Sequence, residues 1–111
     1  MQKEIESNRQ LILGELEVDL KSRQVRVNSF EIRLRRKEFD ILVLLIKHPG
    51  WVYTKEQIYE LIWKDEYPVD IDNTVACQMK QLRKKLGCNP QGKPYVETVW
   101  GVGYKLNYEM S

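Results

Sequence analysis

The stretch Asp72-Asn73-Thr74-Val75-Ala76-Cys77-Gln78-Met79-Lys80-Gln81-Leu82-Arg83-Lys84-Lys85-Leu86 decides how the rest of the chain is read. Val75, Met79, Leu82 and Leu86 recur at i, i+4, i+7 and i+11, a single stripe on a helix turning 100° per residue. Asp70 or Asp72 suits the N-cap, where a carboxylate accepts an unsatisfied backbone N–H, and Gly87 suits the stop. The spacing therefore predicts a helix over about residues 71–86. Opposite its apolar stripe lie Asn73, Cys77, Lys80 and Lys84, flanked by Thr74, Ala76 and Gln81. A solvated helix face ordinarily mixes Glu with Lys four residues apart, and from Asn73 onward this one has no such pair. Small side chains let a helix approach a groove floor, while Lys and Arg farther along reach phosphates. The pattern points to insertion into the major groove of duplex DNA.

The charge distribution supports the same reading. The 111 residues carry 18 basic and 16 acidic side chains, for a net charge of only +2. From Asn73 to Val96 there is no acid, while Lys80, Arg83, Lys84, Lys85 and Lys93 are all basic, so the remainder of the chain is net negative. Thr54 to Asp72 carries Glu56, Glu60, Asp65, Glu66, Asp70 and Asp72 against only Lys55 and Lys64. One positive segment in a mildly acidic domain is the electrostatic footprint expected for a polyanion. Charge alone fits a solvated face better; the small-residue half of the helix tips the balance.

Upstream of that helix, periodicity predicts strands followed by helices. Leu11–Leu13, Glu15–Leu20, Gln24–Val27 and Phe30–Leu34 are short apolar or alternating runs separated by turn residues, read as four antiparallel strands. After Arg35, Phe39, Leu42, Val43 and Ile46 take up helical spacing, and Ile41, Leu44 and Leu45 make that helix apolar on nearly every side. His48-Pro49-Gly50 ends it, which leaves His48 a structural residue at a helix C-terminus. Thr54-Lys55-Glu56-Gln57 is a capping box, opening a helix that buries Ile58, Leu61 and Ile62. Asp65-Glu66-Tyr67-Pro68-Val69 reads as a loop.

Downstream, Asn89–Pro94 is a turn-rich connector, and two strand-like runs, Tyr95–Trp100 and Tyr104–Tyr108, flank Gly101-Val102-Gly103. Two glycines at the tip of an alternating pair mark a tight hairpin. Gly-x-Gly without a following helix fails the context required of a dinucleotide fingerprint. A hairpin placed directly after a cationic helix reaches the adjacent backbone or minor groove.

Length and composition bound the alternatives. A chain of 111 residues with 42% hydrophobic and 31% charged residues is one globular domain. Its longest apolar run, Ile41–Ile46, is far short of the roughly 20 residues that span a bilayer, and a cytoplasmic setting without membrane contact is expected. Cys77 and Cys88 are separated by most of a helix, about 15 Å apart at 1.5 Å per residue, beyond disulfide reach. Cys77 is read as a small residue beside a thymine methyl. No nucleophile with a partnered His, no carboxylate pair and no metal-ligand cluster stands out, so neither enzyme activity, metal nor cofactor is expected.

Taken together, Asp72-Asn73-Thr74-Val75, Leu82-Arg83-Lys84-Lys85-Leu86 and Tyr95-Val96-Glu97-Thr98-Val99-Trp100-Gly101-Val102-Gly103-Tyr104-Lys105-Leu106 strongly resemble the OmpR/PhoB-type winged-helix effector domain of bacterial two-component response regulators. Lys37–Leu42, His48-Pro49-Gly50 and Val52–Gln57 extend the resemblance over residues 9–108, leaving 1–8 as a linker or tail. The implied fold is α+β: an N-terminal four-stranded antiparallel sheet, a three-helix bundle and a C-terminal β-hairpin wing. The implied function is sequence-specific binding of double-stranded DNA in transcription regulation, on tandem direct-repeat half-sites. A winged-helix module that binds only protein is the alternative.

Carried over by position, the helix contacts fall on Asn73, Thr74, Ala76, Cys77, Lys80, Gln81, Arg83 and Lys84, and the wing contacts on Thr98, Trp100 and Tyr104. The loop Lys64–Val69 matches a segment through which some members touch RNA polymerase. A receiver domain of about another hundred residues is implied upstream and is not contained in these residues. Many members carry Arg where this chain has Asn73, Gln81 and Trp100, so a different sequence preference is expected. Trp100 either packs on a sugar or braces the hairpin. Arg35 also stands where the family commonly has a Ser or Thr cap.

Overall fold

The computed structural model describes residues 9–64, 66 and 70–107. The tail 1–8, the expected domain end at Tyr108 and four residues of the loop 64–69 (Asp65, Tyr67, Pro68 and Val69) lie outside the described residues. Four strands come first: β1 (Gln10–Leu13), β2 (Leu16–Asp19), β3 (Gln24–Val27) and β4 (Phe30–Ile32). They form one antiparallel sheet in sequence order. The turn after β3 pairs Val27 with Phe30 across Asn28 and Ser29, both at positive φ (54° and 70°), the backbone a two-residue hairpin demands. The alternation then divides the faces. Leu13, Leu16, Val18, Val25 and Val27 are buried, while Glu17, Arg26 and Glu31 sit in register on the outer face.

The buried face closes over three helices. In α1 (Arg36–Lys47), Phe39, Ile41, Leu42, Leu45 and Ile46 are buried, as its nearly all-round apolarity predicts. Arg35 has no acceptor to cap it, and the cap is supplied from the other side: Glu38 Oε1 accepts the Arg35 N–H at 2.8 Å. α2 (Lys55–Ile62) has the full capping box, Thr54 Oγ1 accepting from Gln57 N at 3.0 Å and Gln57 Oε1 from Thr54 N at 2.8 Å. Ile58 is buried and Ile62 partly so, but Leu61, expected inside, is exposed; Tyr59 and Trp63 are buried instead and stack at 5.2 Å. α3 (Ile71–Leu86) is capped by Asp70, whose Oδ1 accepts from Asn73 N at 3.2 Å, and ends at Gly87 with φ +70°. Asp72 pairs instead with Lys55 at 3.2 Å.

The C-terminal hairpin is β6 (Val96–Val99) and β7 (Gly103–Leu106), joined by a third strand, β5 (Tyr53–Thr54), in the order β5-β7-β6. β5 is two residues long, too short to show any period, and only its pairing with β7 reveals it. The two glycines of the hairpin do different jobs. Gly101 makes the turn at φ +79°, whereas Gly103 lies within β7, where a Cβ would come within 2.0 Å of the Tyr53 carbonyl oxygen. Gly103 therefore lets β5 and β7 approach, and is not part of the tip.

Candidate nucleic-acid interface

α3 is held by its apolar stripe. Val75, Met79, Leu82 and Leu86 are all buried, so the opposite flank is turned outward by packing and not by its own polarity. Asn73, Ala76, Cys77, Lys80, Gln81, Arg83 and Lys84 are exposed, and Thr74 is half-buried. Asn73, Thr74, Ala76 and Cys77 occupy the first half of this flank and the cations, with Gln81 among them, the second, along a rod of about 24 Å at 1.5 Å per residue.

The wing stands beside it. A cleft of about 530 Å³ between α3 and the hairpin is lined by Ala76, Lys80, Arg83 and Lys84 from the helix and by Thr98, Trp100 and Tyr104 from the wing. Seven of the eleven expected contact residues thus meet at one cleft. Asn73, Thr74, Cys77 and Gln81 do not line it, and continue along the helix flank. Thr98 and Tyr104 are directly paired across β6 and β7. Arg83 Nη1 donates to Thr98 Oγ1 at 2.9 Å, a link between helix and wing that no local pattern announces, because fifteen residues separate the pair.

The structure places two side chains that the sequence leaves open. Lys85 belongs to the positive segment by sequence, yet its Nζ lies 2.7 Å from Glu38 Oε1, a carboxylate 1% exposed. Its charge is spent inside the domain, joining α3 to the start of α1. Among the described residues Lys80, Arg83 and Lys84 form no ion pair, and on this flank their charges are open to an outside anion. Trp100, second, is 89% exposed and does not brace the hairpin.

Both thiols, Cys77 and Cys88, are free and exposed. Among the described residues no group of three or more His, Cys, Asp and Glu side chains is placed to hold a metal ion. No described helix is long and apolar enough to cross a membrane.

The family model for "Transcriptional regulatory protein, C terminal" matches residues 29–106. The transcriptional regulatory protein YcbL of Bacillus subtilis (strain 168) is 35% identical over 99 residues, 89% of this chain and 43% of that protein. The response regulator DrrB of Thermotoga maritima, an OmpR/PhoB homologue, superposes with a TM-score of 0.79 at 31% identity, covering 96% of this chain and 48% of its own. The DNA-binding domain of Klebsiella pneumoniae RstA, solved in complex with the RstA box, has a TM-score of 0.75 at 28% identity over 89% of this chain and 97% of its own. The chain spans less than half the length of the curated relatives it matches.

Proposed function

The chain belongs to the family of transcriptional regulatory protein C-terminal domains, of the OmpR/PhoB winged-helix type, and from that membership we propose that it is a response-regulator effector domain that binds double-stranded DNA sequence-specifically to regulate transcription. The observation that carries the reading is the outward flank of α3, where Lys80, Arg83 and Lys84 have no acidic partner among the described residues. α3 enters the major groove. Asn73, Thr74, Ala76, Cys77 and Gln81 face base edges, Gln81 with the amide geometry that pairs bidentately with adenine. Lys80, Arg83 and Lys84 take phosphates, and Thr98, Trp100 and Tyr104 bring the wing to the adjacent backbone and minor groove.

Two domains in tandem occupy direct-repeat half-sites about one helical turn, 10 to 11 base pairs, apart. The loop from Lys64 to Val69 is the surface offered to RNA polymerase, and the partner expected in the same polypeptide is a receiver domain. Such work belongs in the cytoplasm and needs neither cofactor nor catalysis.

Selection of bound sites from a random duplex pool, followed by titration of the selected duplex at several salt concentrations, tests the reading. Log affinity should fall linearly with log salt, with a slope of about −0.9 per phosphate contact. A domain with no salt-sensitive binding to any duplex is a protein-binding module.

A further inference from the structure

The tip of the wing is apolar. From Val99 to Tyr104 there is no charged residue, and Trp100 and Val102, on either side of Gly101, are 89% and 51% exposed. A tip without charge forms no ion pair with a phosphate. What it presents is a large flat indole left almost wholly uncovered by the domain and a branched aliphatic side chain left half uncovered.

This knob is also tied to α3. The Val102 N–H donates to Val99 O at 2.9 Å and closes the turn. Gly103 seats β7 against β5, and the bond from Arg83 to Thr98 fixes β6 to the helix. The knob is continuous with the interface, because Trp100 shares a cleft with Lys80 and Lys84. On the DNA-binding reading, a knob beside a helix in the major groove lies toward the neighbouring backbone and minor groove.

Resting on the DNA-binding reading above, we propose that Trp100, supported by Val102, is a specificity-determining wedge. It enters the minor groove beside the half-site and partly unstacks a base step, so that the domain selects deformable DNA at positions its helix never touches. Apolar side chains that wedge between base steps kink the duplex, and pyrimidine–purine steps such as TA and CA yield most readily. The pocket for the indole is made by the DNA, which explains why the domain leaves this side chain uncovered.

The test uses the selected duplex and four proteins: wild type, Trp100→Ala, Trp100→Phe and Lys80→Ala. An adenine analogue, 2-aminopurine, placed at successive flanking positions reports unstacking by its rise in fluorescence. Wild type should brighten the probe at one step, and repeated site selection should enrich TA or CA there. Trp100→Ala should lose about tenfold in affinity with an unchanged salt slope, extinguish the signal and lose the flanking preference while keeping the half-site. Trp100→Phe should retain most of each. Lys80→Ala should keep the probe signal while its salt slope falls by about 0.9. Unchanged affinity and flanking preference in Trp100→Ala, or a salt slope lowered by about 0.9 in that variant, overturns the wedge and leaves DNA binding standing. A wild-type domain that binds no duplex overturns both readings. The exposed position makes misfolding of Trp100→Ala readable as a lowered Tm, and Trp100→Phe carries the test in that case.

Discussion

Arg83 and Thr98 lie fifteen residues apart in sequence and 2.9 Å apart in space, Nη1 donating to Oγ1, and this bond ties the outward flank of α3 to the first strand of the wing. It spends one of the five guanidinium donors and leaves the rest for a phosphate. Thr98→Val keeps the β-branched shape that suits a strand and removes the acceptor. We expect a folded domain whose DNA affinity falls a few-fold with an unchanged salt slope, measured by fluorescence anisotropy. Arg83→Ala should lose more affinity, with a shallower slope.

The two neighbouring lysines at the end of α3 should behave oppositely. Lys84→Ala removes a phosphate contact, so the salt slope should fall by about 0.9 with little change in Tm. Lys85→Ala leaves Glu38 buried without its cation, a loss that reaches about 3–5 kcal/mol for fully buried pairs and less here because the Lys85 side chain keeps 29% exposure. Urea unfolding should show that loss with the salt slope unaffected. Adding Glu38→Gln should recover part of the stability, since the amide carries no charge and its oxygen still accepts the Arg35 N–H.

Gly103→Ala forces a methyl toward the Tyr53 carbonyl, a backbone atom that cannot rotate away. Overpacking of this kind costs about 1–3 kcal/mol, and for a domain of this size each kcal/mol lowers Tm by about 4–8 °C. Gly101→Ala meets open space and pays only for its positive φ, about 1–2 kcal/mol. The larger fall in Tm should belong to Gly103→Ala.

Cys77 is exposed on the helix flank between Asn73 and Gln81. In a Cys88→Ser background, full modification of Cys77 with a bulky maleimide should weaken DNA binding at least tenfold without lowering Tm. Undiminished affinity would remove Cys77 from the interface.

Tyr95 is buried, and its hydroxyl has no hydrogen-bond partner among the described residues. Burial, and then the nearby Glu15 carboxylate, raises its pKa above the usual tyrosine value. The folded state thus holds a proton that the unfolded chain releases near pH 10, so stability is complete below that pH and is lost as pH rises toward the folded-state value. Tyr95→Phe should flatten the alkaline limb of a Tm against pH profile and leave neutral stability nearly unchanged.

Much of the architecture is legible one segment at a time. The alternating runs ending at Val27 and beginning at Phe30, the box at Thr54 and Gln57, the stop at Gly87 and the stripe from Val75 to Leu86 are all short-range consequences of backbone geometry and side-chain period. They determine the strands, the helices and which flank of α3 is turned outward. Leu61 lies outside because Tyr59 and Trp63 take its place in the core, a contest that only packing resolves. β5 is not legible in the sequence, because two residues carry no period. The division of labour between Gly101 and Gly103, the inward turn of Lys85 to Glu38, the tether from Arg83 to Thr98 and the bare tip at Trp100 all depend on segments far apart in the chain. Local chemistry determines what a segment becomes, whereas the partner a charge or a glycine meets is decided only when burying the apolar stripes brings distant segments together.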